Sequence, residues 1–187
     1  MKKTFEEGIK IPVTDVYPIS MTPPAPFHTE LAALLPRLRR FARTIAWHRE
    51  DADDLVQTAL ERALARSEQW QPGTRLDSWM FRIIKNAWVD EVRGRIRRDR
   101  VLAPEEAGEH VGDGSAEAQQ QRIAIEQAIA MLSDDHRVVI GLVLVDGLPY
   151  KEAAEILELP MGTLTSRLVR AREALQALLS DQARTVP

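Results

Sequence analysis

Residues 162–172, GTLTSRLVRAR, set two threonines, a serine and three arginines among leucine, valine and alanine. The arginine fork matches the O6/N7 edge of guanine, and serine or threonine hydroxyls bond bases or phosphates. Leu164, Leu168, Ala171, Leu175 and Leu178 recur at helical spacing, so they make one apolar face. Thr163, Ser166, Arg167 and Arg170 fall opposite, with Thr165 beside them. Such a face is solvated surface, a membrane contact or a reader of DNA.

Two other clusters are candidates for chemistry. RGRIRRDR, residues 93–100, has five arginines and one aspartate. One or two cations would complement a helix C-terminus; five point to phosphate contacts. Earlier, Asp54, Gln57, Thr58 and Glu61 recur at i, i+3, i+4 and i+7, which places them on one outward helical face. Catalytic sets are missing. His28, His48, His110 and His136 are scattered without metal-ligand spacing, and no glycine-rich phosphate loop is present. Asp53 and Asp54 are adjacent, so on a helix they point about 100° apart and form no acid–base pair. No enzyme activity, cofactor, metal or small-molecule substrate is expected.

The chain has 187 residues, 44% hydrophobic and 28% charged, enough for one domain or two small ones. It has no cysteine, which fits a reducing compartment and excludes a disulfide framework. Lys2 and Lys3 lack an apolar run after them, so no secretory signal is expected. No apolar run approaches the roughly 18–20 residues of a membrane span. The expected location is the cytoplasm.

Apolar spacing of three to four predicts an all-α protein. Residues 1–27 carry five prolines and read as a poorly ordered extension. A first helix is expected from Thr29 to Trp47, with Leu31, Leu34, Leu38, Phe41 and Ile45 inward. A second runs to Gln69 with Asp51 as its N-cap, burying Leu55, Val56, Ala59, Leu60, Ala63 and Leu64. QPGT, residues 71–74, is a loop. A third helix spans Leu76 to Arg98 with Trp79, Ile83, Ile84 and Ala87 inward. Residues 28–100 carry 15 Lys/Arg against 11 Asp/Glu, whereas 101–120 carry five acids and no base. That shift marks a linker over 101–116. A second helical domain, 117–187, follows. It contains a helix over 134–145 capped by Ser133, a helix from Pro149 at its first position through Leu157, a turn at ELPMG (158–162), and a last helix from Thr163 to Leu179. Two helices joined by a tight turn are a helix-turn-helix, and its second helix places N-terminal residues against base edges. The complete motif moves the basic face toward DNA binding.

DADDLVQTALERAL, WQPGTRLDSWMFRIIKNAWVDEVRGRIRR and LSDDHRVVIGLVLVDGLPYKEAAEILELPMGTLTSRLVRAREAL together resemble bacterial RNA polymerase sigma factors of the extracytoplasmic-function (ECF) class. The first two resemble region 2 and the third region 4, over about Leu31 to Leu179. The resemblance implies two helical domains on a flexible linker and a protein that directs core RNA polymerase to promoters. Asp54 and Gln57, with neighbours Asp53 and Glu61, match the surface that docks on the polymerase clamp helices; Thr58 stands where the family often has an acid. Residues 71–78 and the following helix resemble the part that captures the melted −10 strand, with Arg82, Lys85, Asn86, Asp90, Arg93 and Arg97 as its residues. A flipped base there needs hydrogen-bond edges and stacking walls; Trp79 is assigned to packing, and Trp88 to packing or to such a wall. Arg82 and Ile83 stand where primary sigma factors carry a tryptophan wedge, which implies weaker intrinsic melting. Thr163, Thr165, Ser166, Arg167 and Arg170 would read the −35 element, although the family commonly has lysine at Thr165 and serine at Pro149. The acidic linker suits a nucleic-acid mimic in the polymerase channel or an ordinary disordered linker. Family membership further implies a stress response, an anti-sigma partner and retention near the membrane through it, with no membrane insertion by the chain. Two rivals are a sigma-mimic adaptor that sequesters an anti-sigma factor and a stand-alone helix-turn-helix repressor.

Overall fold

The computed structural model describes residues 25–46, 48–99 and 116–185. The expected extension up to residue 24 and nearly all of the expected linker lie outside the described residues, as does Trp47. Seven α-helices make up the described fold, with no strand among the described residues: α1 (Ala25–Ile45), α2 (Arg49–Leu64), α3 (Leu76–Asp99), α4 (Ala116–Ala130), α5 (Asp134–Ile140), α6 (Tyr150–Leu157) and α7 (Met161–Thr185). A 3-10 turn at Ser67–Gln69 follows α2, and a π turn at Gly141–Val145 extends α5.

The expected stripe of α1 is inside: Leu31, Leu38, Phe41 and Ile45 are buried, and Leu34 packs at the edge. The helix begins earlier than Thr29 because Phe27 is fully buried. Its ring lies 5.4 Å from Trp70 and 6.3 Å from Trp79, centroid to centroid. Residue 27, assigned from its prolines to the extension, is therefore a core residue. In α2 the N-cap is His48 in an extended conformation, and Asp51 sits in the first turn instead. Its charge there still meets the positive end of the helix.

α3 is rotated slightly from the expected face. Met80, Phe81, Ile84, Ala87 and Trp88 are buried, while Trp79 and Ile83 are only partly covered. Phe81 meets Phe41 of α1 edge-to-face at 5.1 Å. α1, α2 and α3 thus form the first bundle.

In the second half, Ser133 occupies the N-cap of α5 as expected. The expected helix 134–145 widens after Ile140: the Asp146 N–H donates to Gly141 O at 3.0 Å, an i to i+5 bond. That π turn faces α1. A Cβ on Gly141 would stand 2.9 Å from two carbons of the Phe41 ring, so a side chain here would force the two helices apart. Pro149 is the N-cap residue rather than the first helical one; its carbonyl accepts from Ala153 N at 3.0 Å. α7 runs longer than expected at both ends.

The two halves do more than share a linker. Buried apolar residues run without a break from α1, α2 and α3 into α5, the π turn, α6 and the start of α7. At the seam, Arg137 of α5 is almost wholly buried and its guanidinium lies over Trp88 of α3 at 5.8 Å.

Candidate nucleic-acid interfaces and docking face

α6, the turn after it and α7 form the helix-turn-helix. Glu158 ends α6 in the left-handed conformation (φ 57), a position glycine usually fills. Leu164, Leu168 and Ala171 are buried against the domain, and Leu175 and Leu178 are partly covered. This orientation leaves Thr163, Thr165, Ser166 and Arg170 exposed. The Thr165 hydroxyl donates to Met161 O at 2.9 Å and the Ser166 hydroxyl to Thr163 O at 3.0 Å, so each keeps its acceptor lone pairs outward. Arg167 is half-buried and pairs with Asp135 of α5 at 3.1 Å.

The outward face of α2 carries Asp53, Asp54, Gln57 and Glu61, all exposed. The Gln57 amide donates to Glu61 at 3.1 Å, and Thr58 lines a groove between α2 and α3 with Arg62, Asp90 and Glu91.

The expected strand-capturing residues on α3 are divided. Asn86 and Arg93 are exposed. Asp90 pairs with Arg62 at 3.2 Å across that groove. Arg82 reaches the other half of the molecule and donates to Glu155 O of α6 at 3.2 Å. Lys85 is buried, 9% exposed, with its ammonium 3.9 Å from Glu158. The side chain of Arg97 lies outside the described residues. Trp88 is a core residue, so it offers no stacking wall in this conformation; Trp79 packs beside Phe27.

An ionic network that sequence reasoning missed fixes the loop ahead of α3. Arg75 holds Asp77 through two bonds of 2.9 and 2.8 Å, the Ser78 N–H donates to the same carboxylate at 2.9 Å, and Arg37 of α1 reaches it at 3.1 Å. The Arg75 bonds, with help from Ser78 and Arg37 and against the cost of burial, hold the Asp77 carboxyl at about 2. Arg75 in turn is held well above its ordinary value, first by Asp77, and it also reaches Glu152 of α6 at 2.6 Å. Asp146, in the turn before α6, meets Arg40 at 3.0 Å and Arg37 at 3.5 Å. Burial pushes its carboxyl up, against the pull of both arginines. Asp77 at the start of a helix was a legible signal; the pairings of Arg37 with Asp77, 40 positions apart, and of Arg40 with Asp146, 106 apart, were not.

Among the described residues no cluster of three or more His, Cys, Asp or Glu could hold a metal ion. No helix among them is long and apolar enough to cross a membrane. What the arrangement offers is two polar and basic faces, one on α7 and one on α3, and an acidic face on α2.

Comparison with known proteins matches two separate stretches of the chain. Residues 31–85 match the family model described as the Sigma2 domain of PhyR, and residues 122–175 match sigma-70 region 4. The ECF RNA polymerase sigma factor EcfG of Rhodopseudomonas palustris (strain TIE-1) is 35% identical over 154 residues, covering 80% of this chain and 83% of that protein. The ECF RNA polymerase sigma factor SigW of Bacillus subtilis (strain 168) is 32% identical over 144 residues, covering 70% and 76%. Among solved structures, the sigma factor RpoE of Bartonella quintana, in complex with the anti-sigma factor NepR, superposes with a TM-score of 0.71 at 35% identity. The superposition covers 83% of this chain and 97% of that one.

Proposed function

The chain belongs to the ECF family of RNA polymerase sigma factors, and from that premise we propose that it binds core RNA polymerase and directs it to promoters. The observation that carries this reading is the exposed polar face of α7 in a helix-turn-helix, in one chain with the exposed acidic face of α2. Thr163, Thr165, Ser166, Arg167 and Arg170 read the −35 element in the major groove. Asp53, Asp54, Gln57 and Glu61 dock on polymerase. Arg82, Lys85, Asn86, Asp90, Arg93 and Arg97 bind the melted −10 strand, the cationic ones through phosphates. Catalysis belongs to the polymerase. Initiation serves a stress response in the cytoplasm, under an anti-sigma protein that holds the chain near the membrane; the solved relative bound to an anti-sigma factor supports that partner class.

Run-off transcription with core RNA polymerase from genomic fragments tests the reading. Transcripts that depend on this chain are expected. Tight duplex binding by the chain alone with no transcript from any fragment would favour a repressor. Binding of an anti-sigma protein with neither DNA nor polymerase binding would favour an adaptor.

A further inference from the structure

Arg167 and Arg170 share the polar face of α7 and are held differently. Arg167 follows Leu164 by three residues and precedes Ala171 by four, and both of those are buried. Its stem therefore runs along the edge of the apolar ladder, and its head reaches the polar face. Helix α5 packs against α7, and the carboxylate of Asp135, in the first turn of α5, meets the Arg167 guanidinium at 3.1 Å. The neighbouring acid, Asp134, is committed to Arg137. Arg170 is exposed and has no partner among the described residues.

An acid in the first turn of a helix suits its positive end, and Asp135 does that whatever Arg167 does. Two features go beyond it. The Asp135 oxygen approaches one terminal nitrogen, Nη2, and a guanidinium has five N–H donors, so Nε and Nη1 stay available to a ligand. Asp135 is also 70% exposed, against 27% for Arg167. A negative charge thus stands in the open beside the helix that faces DNA, where it repels phosphate.

We propose that Asp135 is a positioning residue for promoter reading: it aims Arg167 at a base edge and bars it from phosphates, which leaves Arg170 as the phosphate contact. This rests on the sigma factor reading above and deepens it by dividing two arginines of one face. An arginine free to swing finds a phosphate on any duplex, and that contact carries no sequence information. One whose charge is already paired gains less from a phosphate. Its fork, held in one orientation, loses less freedom on meeting the O6/N7 edge of guanine. Asp135 therefore acts on discrimination rather than affinity: it disfavours every duplex, and only the matching base offsets that cost.

The test uses holoenzyme assembled from core RNA polymerase and the full chain. The templates are a promoter fragment found by the run-off assay above and variants in which each −35 base pair is changed in turn. In the parent, changing the guanine pair read by Arg167 should reduce transcription about 5–150-fold, the range of one bidentate contact. Asp135→Asn keeps the size of the side chain and removes its charge. It should shrink that penalty several-fold at this one pair and leave the other pairs as they were. It should also steepen the salt dependence of binding to a competitor duplex without the site by about one unit of log–log slope. Asp135→Glu, with the charge kept, should keep the parent's slope. Arg167→Ala should abolish the same penalty, and adding Asp135→Asn to it should change neither readout further. Arg170→Ala should weaken all templates alike and reduce the slope by about one. A thermal melt of each variant separates these effects from loss of fold. An unchanged profile in Asp135→Asn would reduce the residue to a helix-dipole partner, and equal loss on every template would make it structural only. Either result overturns the inference while the sigma factor reading stands. No transcript with the parent chain on any fragment would overturn both.

Discussion

The faces of α7 and α3 are built from the same kinds of residue and meet opposite surroundings. On α7, Thr163, Thr165, Ser166 and Arg170 stand in solvent, and only Arg167 is held by a neighbour, Asp135. On α3, Lys85 is buried and Arg82 is bonded to the main chain of α6. One conformation thus displays one polar face and, on the other, covers Lys85 while leaving Arg82, Asn86, Asp90 and Arg93 exposed. Local residue type does not set accessibility; the packing of the two halves on one another does.

The largest expected effect comes from breaking that packing at its centre. Phe41 is fully buried, meets Phe81 and abuts Gly141. Phe41→Ala should cost about 3–5 kcal/mol, the usual toll of such a truncation. In a thermal melt followed by calorimetry, both halves should lose stability in one shifted transition; a second half that melts unchanged would show that the seam carries little. Arg167→Ala comes next. It should weaken binding to −35 DNA by about 1–3 kcal/mol and leave affinity for core polymerase as it was, measured by anisotropy and by competition for core. Equal loss of both would end the assignment of α7 as a DNA reader. Asp54→Ala should weaken assembly with core polymerase several-fold with no change in DNA binding by isolated chains; unchanged assembly would leave Asp54 a helix-dipole partner alone.

The smallest effect is on pH, and it contrasts two carboxylates that share Arg37. Asp77 is depressed to about 2 by Arg75, Ser78 and Arg37, so its stabilisation of the loop is present above its ordinary value of 3.8 and lost as pH falls toward 2. Asp146 is raised by burial against the opposing Arg40 and Arg37. Its proton is held more tightly in the folded chain, so its contribution to stability is greatest below 3.8 and fades as pH rises through its raised value. The Asp146 share of stability in a thermal melt, read as the difference from an Asp146→Asn variant, should therefore rise modestly on acidification from neutral pH before Asp77 titrates. A steady weakening over that range would mean that the two arginines, not burial, govern Asp146.

Much of this molecule was legible in its sequence because the signals are local. The α1 stripe from Leu31 to Ile45, the loop at Gly73, the cap at Ser133 and the buried ladder of Leu164, Leu168 and Ala171 all follow from spacing or backbone preference over a few residues. Phe27 was hidden by the prolines before it, since its burial depends on Trp70 and Trp79, far along the chain. The shift from α-helix to π turn at Gly141 was equally hidden, because it answers to the Phe41 ring. The face of α7 could be assigned from amphipathicity alone. That Lys85 is covered could not, because α6 lies more than 60 positions away and nothing in α3 itself calls for a lid.

Lysine reactivity tests most directly whether one face is displayed while Lys85 of the other is covered. Lys85 is buried under α6, whereas Lys151 on α6 is exposed. In the free chain, reductive methylation followed by mass spectrometry should modify Lys85 far more slowly than Lys151. Lys85 reacting as fast as Lys151 in the free chain would contradict the covering of Lys85 by α6 outright.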